Sequence, residues 1–288
     1  DLEIVFSGYS SGNKLFAINI DGTNVPNFPI SLGEKVKAGV ALADFNNNGK
    51  DDIVVGTDND NLYLIYDDGS IAQGFPFVAN DKFQSSPSIL DLNGEKIIFA
   101  GNNDNNLYSI NSDGSLRFLI EANDKINTSP SFINLNGTLH VLFGSKDDHI
   151  YMADMNGNIP TNWPVLLDGD IEGELITANI NNYSNSEIIS LTDVGSIYIT
   201  NINGNSYTYF PIKNGIPFTG APSIVDLDDD GDLEILGGTL NNLTIIDIKE
   251  LGNDTDNWSQ YRNNTRRNGY FTPSQNSNCY ASIGDLNN

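Results

Sequence analysis

Acidic residues at alternating positions near the C-terminal end of the sequence could bind a hard metal ion. Asp226, Asp228 and Asp230 are separated by single residues, Gly231 follows directly, and Glu234 comes three residues later. Alternate side chains of such a loop point inward, the glycine permits a sharp turn, and the last carboxylate can bind in bidentate fashion, as Ca²⁺ prefers. The predicted ligands of this loop, loop 226–234, are Asp226, Asp228, Asp230, Asp232 (through its backbone carbonyl) and Glu234.

A second segment, loop 44–52, has the same spacing of oxygen-bearing residues. It places glycine at the sixth position and a carboxylate at the ninth, but two of its predicted ligands are asparagines rather than aspartates. Fewer like charges mean less repulsion without a cation and less attraction for one. The sequence predicts about two calcium sites in all. The predicted ligands of loop 44–52 are Asp44, Asn46, Asn48, Lys50 and Asp52.

Two other interpretations of these loops were weighed. An EF-hand needs a glutamate at position 12 and flanking helices, whereas position 12 is Val55 or Gly237 within an apolar run, so that motif fails. An asparagine- and aspartate-rich surface turn, held by its own hydrogen bonds, remains open. Three further copies are degenerate: those beginning at Asp91 and Asn134 are two residues shorter, and the copy at Asn179 lacks the glycine.

These loops belong to a unit that recurs six times along the chain. Each unit has a short apolar segment, the loop, a second apolar segment and a third with an aromatic residue, followed by a turn. Repeats of about 40–45 residues with four strands are typical of propeller blades. We predict an all-β, six-bladed β-propeller, with seven or eight blades if the native chain extends upstream. A β-sandwich would not repeat its sequence, and solenoid repeats are usually shorter.

The repeat resembles the FG-GAP or VCBS family found in the integrin α-subunit head and in secreted bacterial proteins. The resemblance covers residues 1–272, and the family's calcium loop matches loops 44–52 and 226–234, whereas its Phe-Gly elements are poorly kept. It implies calcium bound structurally on one rim, and a secreted or cell-surface location. It also implies a non-catalytic binding, adhesion or spacer module, monomeric within a multidomain chain, whose partner is an extracellular protein or glycan.

The C-terminal residues admit more than one interpretation. Trp258 stands where earlier units place an aromatic-proline pair, which predicts a place in a final strand. Residues 273–288 are predicted to be a linker followed by one of two things. Residues 280–288 align with 221–227 and could close the ring as a strand, or they could begin a dockerin-like module; Cys279 fits neither decisively.

Composition and motifs limit the possible functions. The formal net charge of −24 disfavours nucleic acid and anionic membranes as partners, and a single cysteine cannot form an internal disulfide. Nucleophile-elbow, HExxH and P-loop patterns are absent, and His140 and His149 lack the spacing of a metal-ligand cluster. We therefore expect no catalysis; the alternative is a polysaccharide lyase, or another carbohydrate-active enzyme, on a calcium-binding propeller.

Overall fold

The chain is built from short β-strands. The computed structural model describes residues 3–8, 13–135, 137–171, 173–181, 186–255 and 257–273, and within these ranges the regular elements are all strands. The strands form six sheets, and chain-order neighbours within each sheet pair antiparallel. The expectation of an all-β fold is confirmed.

The first three sheets use the N-terminal half of the chain. Each is a meander in which successive strands lie side by side. Sheet 1 contains β1 (Glu3–Ser7), β2 (Lys14–Asn19) and β3 (Ile30–Ser31); sheet 2 contains β4 (Ala41–Ala43), β5 (Asp52–Gly56), β6 (Asn61–Ile65) and β7 (Phe77–Val78); sheet 3 contains β8 (Ser88–Leu92), β9 (Glu95–Gly101), β10 (Asn106–Asn111) and β11 (Leu116–Glu121).

The last three sheets repeat the meander, and a final short strand, β23 (Tyr270–Phe271), joins sheet 3 in parallel with β8. Sheet 4 contains β12 (Ser131–Leu135), β13 (Thr138–Gly144), β14 (His149–Asp154) and β15 (Val165–Leu166); sheet 5 contains β16 (Ile176–Ala178), β17 (Glu187–Leu191), β18 (Ser196–Thr200) and β19 (Ile212–Lys213); sheet 6 contains β20 (Ser223–Val225), β21 (Asp232–Gly238) and β22 (Leu243–Leu251).

Glycines at the end of the second strands allow neighbouring sheets to approach closely. A Cβ atom at Gly56 would lie 2.4 Å from Cβ of Phe83, and one at Gly144 would lie 2.3 Å from Cγ2 of Ile171. Contacts this short do not occur between real side chains, so the repeated glycine is required by packing rather than by a turn.

Buried apolar side chains join successive sheets into one body. One cluster contains Leu15 and Ile53 from sheets 1 and 2, another contains Val54 and Ile98 from sheets 2 and 3, and a larger one spans sheets 3 to 6. None of the hydrophobic clusters in the described part of the chain joins sheet 6 to sheet 1. Ile4 of β1 is 53% exposed, although the central residues of β5, β9, β13 and β17 are buried.

The segment after sheet 6, residues 257–273, takes a course that the sequence did not predict. Trp258 does not extend sheet 6 but is fully buried, and its carbonyl accepts a hydrogen bond from Thr177 N at the start of sheet 5. Further along, Gly269 O accepts from Ile89 N of sheet 3. The prediction that Trp258 lies in a final strand of its own unit is therefore wrong: the segment runs along the first strands of several sheets. Cys279 and residues 280–288 lie outside the described residues.

Candidate metal centre

Loop 226–234 connects β20 to β21 and brings its carboxylates together. Oxygen atoms of Asp226, Asp228 and Asp230 all lie within 4.8 Å of one another, and so do oxygen atoms of Asp230, Asp232 and Glu234. Asp230 belongs to both groups, so the loop forms one continuous acidic cluster. All five predicted ligand residues are therefore neighbours, and Asp232 adds its carboxylate where the sequence suggested only its carbonyl.

Backbone hydrogen bonds hold the loop in this shape. Leu227 N donates to Glu234 Oε2 at 2.6 Å, Gly231 N donates to Asp226 Oδ2 at 3.0 Å, and Asp232 N donates to Asp230 Oδ1 at 3.1 Å. Gly231 has φ of +91°, a left-handed conformation that glycine adopts without strain. The carboxylates are thus positioned by the backbone before any ion arrives.

Two carboxylate oxygens in the cluster are buried without a hydrogen bond. Within the described residues, Asp226 Oδ1 and Asp232 Oδ1 have no hydrogen-bond partner, and Asp232 is only 7% exposed. A buried polar atom without a partner costs about 1–3 kcal/mol, so native structures rarely leave one. A cation between these oxygens would remove that cost.

The charges around Asp232 raise its affinity for a positive partner. Burial, followed by the neighbouring negative charge of Asp230, raises the pKa of Asp232 to about 6. Burial and the charges of Asp230 and Glu234 also raise the pKa of Asp228. The ammonium of Lys249, which contacts Asp247, lies 3.7 Å from Asp232 Oδ2 and 3.9 Å from Asp230 Oδ2. It offsets only part of the negative charge.

Loop 44–52, between β4 and β5, has the same backbone frame. Gly49 N donates to Asp44 Oδ2 at 2.7 Å, Phe45 N donates to Asp52 Oδ2 at 2.8 Å, and Lys50 N donates to Asn48 Oδ1 at 2.9 Å. Each bond has its counterpart in loop 226–234. The predicted ligand residues of both loops therefore occupy equivalent places.

The side chains of loop 44–52 are already well paired. Asn48 N donates to Asp44 Oδ1 and to Asn46 Oδ1, both at 3.0 Å, and Asp52 Oδ1 accepts from Asp67 N at 3.0 Å. Lys50 Nζ lies 3.0 Å from Asp67 Oδ2 on the following hairpin. The surface-turn interpretation thus accounts for more of loop 44–52 than of loop 226–234.

The degenerate copies use their anchor residues for structure. Asp91 Oδ1 accepts from Gly94 N at 2.7 Å, while its Oδ2 accepts from Tyr270 Oη at 2.6 Å. Asn134 Oδ1 accepts from Gly137 N at 2.9 Å. The copy that begins at Asn179 lies partly outside the described residues.

Several other carboxylates accept hydrogen bonds from tyrosine hydroxyls, which the sequence analysis missed. Tyr108 Oη donates to Asp104 Oδ2 at 2.6 Å, and Tyr151 Oη donates to Asp147 Oδ2 at 2.5 Å. Burial and the adjacent carboxylate raise the pKa of both phenols. The available signal was an aspartate four residues before the strand tyrosine, present in both units.

Comparison with known proteins decides the fold. No family model matches this chain, and no curated protein matches it. Many solved structures match it, and three of them show the extent of the likeness. A BBS1N structure in complex with ARL6DN has 15% identity and a TM-score of 0.58, covering 84% of this chain and 74% of that one. BamB from Moraxella catarrhalis has 12% identity and a TM-score of 0.52, covering 85% and 81%. The WD40 β-propeller domain of Doa1 has 14% identity and a TM-score of 0.56, covering 86% and 75%.

The fold is a β-propeller. We number the six sheets of the described residues as blades 1 to 6, so that β4, β8, β12, β16 and β20 begin blades 2 to 6. Identities this low support the fold alone, so the FG-GAP or VCBS assignment stays a prediction. The number of blades in the native protein also stays a prediction. Within the described residues, no helix has the length and hydropathy needed to cross a membrane.

Proposed function

We propose that this chain is a non-catalytic binding module whose propeller is stabilised by calcium bound in loop 226–234. The observation that carries the proposal is the acidic cluster with its two buried, unpaired oxygens, on Asp226 and Asp232, in the described part of the chain. Like charges held this close destabilise the fold unless a cation neutralises them. The likeness of the loop to the FG-GAP and VCBS calcium loop supports the same ion.

Calcium would be held by Asp226, Asp228, Asp230, Asp232 and Glu234, all of which supply oxygen. A bound ion stabilises the folded state because the unfolded chain lacks the assembled site. It would tie β20 to β21 in sheet 6, one of the two three-stranded sheets of the described residues, where Leu243 of β22 is 61% exposed. For an extracellular module, we expect a dissociation constant of about 10⁻⁴ to 10⁻³ M.

Loop 44–52 would bind calcium more weakly. Lys50 brings a positive charge to the site, and the amide and carboxylate oxygens of Asp44 and Asn46 already accept backbone hydrogen bonds. We propose it as a secondary site that fills only at higher calcium concentration.

The binding role is a proposal about a partner outside the chain. One of the similar structures is BBS1N in complex with ARL6DN, but that partner belongs to that protein. For this chain we propose an extracellular protein or glycan as the partner, and a secreted or cell-surface location. The module would act as a monomeric domain that presents its loops to that partner.

Thermal unfolding with and without calcium tests the calcium proposal. The melting temperature of the full chain should rise on adding millimolar calcium and fall back with a chelator. The double variant Asp226→Ala/Asp228→Ala should lose most of that rise. Asp113→Ala is the matched control, because Asp113 is an exposed aspartate that only caps its own hairpin at Ser115. An equal calcium response in the double variant and the wild type would overturn the proposal.

A further inference from the structure

A cavity lies where the starts of five blades converge. It has a volume of about 570 Å³, and it is lined by the residues that precede or begin the first strands of blades 2 to 6, together with residues of the C-terminal segment. Its position is separate from loop 226–234, since none of the loop's predicted ligands lines it. The residues that carry the argument are Lys37, Gln84, Asn127, Glu174, Tyr261 and Arg267.

A buried carboxyl group is among the residues that line this cavity. Glu174 is 2% exposed, and its Oε1 accepts hydrogen bonds from Trp258 Nε1 and from Arg262 N, the latter at 3.0 Å. Within the described residues its Oε2 has no hydrogen-bond partner. The guanidinium of Arg262 donates elsewhere, to Val40 O at 2.8 Å and to Ser88 Oγ at 3.3 Å. Burial raises the pKa of Glu174 to about 8, although Arg262 opposes that rise.

The side of the cavity offers a second unpaired oxygen and an amide. Asn127 Oδ1 is buried and, within the part of the chain that is described, has no hydrogen-bond partner. Gln84 donates its Nε2 to Asp58 Oδ1 at 2.8 Å, and Lys37 lies 3.5 Å from Asp58 Oδ2. Asp58 thus orients both side chains. The cavity therefore combines acceptors and donors at fixed positions, which suits a ligand that has several hydroxyl groups.

The C-terminal segment adds an aromatic ring and a cation. Tyr261 is 39% exposed and lines the cavity, and so does Arg267, whose guanidinium can bind a carboxylate in bidentate fashion. Apolar sugar faces pack on aromatic rings, while their hydroxyls bond to amides and carboxyls. The protein has a net charge of −24, so it would repel a long polyanion. A single acidic sugar, either free or at the end of a saccharide chain, therefore fits the cavity better than the interior of an acidic polysaccharide.

We propose that this cavity binds a uronic acid, either the free sugar or the terminal residue of an acidic oligosaccharide. Arg267 pairs with the ligand carboxylate, Tyr261 packs on the sugar ring, and Asn127 and Glu174 bond to hydroxyl groups. This inference names a ligand class for the binding role proposed above. It does not depend on calcium, because the cavity and loop 226–234 share no residue.

Calorimetric titration of the full chain with galacturonic acid and with galactose tests the proposal, each run with calcium and with chelator. Galacturonic acid should bind saturably, and galactose should bind about tenfold more weakly, because it lacks the charge-assisted contact. Arg267→Gln should remove that preference, and Tyr261→Ala should weaken binding of both sugars. Arg266→Gln is the matched control, since this neighbouring arginine does not line the cavity.

Several outcomes would overturn the proposal. The absence of heat with galacturonic acid at millimolar concentration excludes the ligand class. Equal affinity for galactose and galacturonic acid, or an unchanged affinity for galacturonic acid in Arg267→Gln, excludes the proposed role of the Arg267 guanidinium. Equal weakening in Arg266→Gln would show a general charge effect rather than a site. The melting temperature of each variant is measured as well. A value near that of the wild type shows that a loss of binding does not come from misfolding.

Discussion

Loops 44–52 and 226–234 share a backbone frame and differ in charge. In both, the fourth position has a left-handed residue (Asn47 at φ 58°, Asp229 at φ 61°) and the sixth a left-handed glycine. The charge of the seventh residue is reversed, however: Lys50 pairs with Asp67 on the following hairpin, whereas Asp232 pairs with Lys249. Both loops therefore keep a local ion pair, but only loop 226–234 gathers an excess of carboxylates that needs a further cation.

The difference shows that the frame and the metal affinity are separable. The frame depends on the glycine and on backbone bonds to the first and ninth residues, and these bonds form in both loops. Affinity depends on how many unpaired oxygens remain after those bonds are made. Two buried oxygens remain unpaired in loop 226–234, within the described residues.

The largest expected effect on stability comes from replacing the ninth residue of each loop, which is Asp52 in loop 44–52 and Glu234 in loop 226–234. Asp52 is fully buried and accepts from Phe45 N and Asp67 N, so Asp52→Ala should lower the free energy of unfolding by about 3 kcal/mol, with or without calcium. Glu234→Ala should cost about 1 kcal/mol in chelator, because it also relieves repulsion, and should abolish the calcium response. Urea denaturation of both variants, with calcium and with chelator, measures this; equal calcium dependence in the two would contradict the comparison.

Reversing the charge at the seventh position of loop 44–52 should have an intermediate effect. Lys50→Asp removes the ion pair with Asp67 and adds a carboxylate to the frame. In chelator we expect only a small loss of stability, since such exposed pairs contribute little. Calcium should then restore the lost stability, and it should bind this loop with about tenfold higher affinity than in the wild type. Calorimetric calcium titration, with Lys50→Gln as the control for the lost ion pair, would refute the idea if both variants bound alike.

The smallest effect is a change in the pH dependence of stability that does not come from either loop. The pKa of Glu174 is raised by burial to about 8, above its value in the unfolded chain, so the folded state holds its proton longer. The stability contributed by the protonated form is present at low pH and is lost as the pH rises through about 8. Glu174→Gln should flatten the decline in stability between about pH 4.5 and about pH 8. Thermal melts in chelator at several pH values check this, and an unchanged slope would contradict it.

The sequence predicted the fold because each blade repeats its own local pattern. The apolar segments, the glycines and the loop spacing all recur within a unit, so one blade is specified by neighbouring residues. The all-β propeller fold was confirmed on this basis. In the hairpin turns of the first three units, only the glycine takes a positive φ, not the aspartate before it (Gly22, Gly69 and Gly114).

What the sequence did not predict involves partners that are distant in the chain. Arg262 bonds to Val40, and Trp258 bonds to Glu174, across separations that no local periodicity reports. The course of residues 257–273 and the cavity beside it depend on these contacts. Lys249, which offsets part of the charge of loop 226–234, likewise lies outside the loop, near the end of β22. The carboxylates of loop 226–234 lie close together, but part of their charge balance comes from Lys249, outside the loop.

The most direct test of the central claim is a crystal structure of the full chain grown with calcium, with the ion identified by its anomalous scattering. The account predicts an ion in loop 226–234, bound by oxygens of Asp226, Asp228, Asp230, Asp232 and Glu234 at about 2.3–2.6 Å. Loop 44–52 should show lower occupancy. An empty loop 226–234 at a calcium concentration that fills loop 44–52, or no ion at either loop, would contradict it.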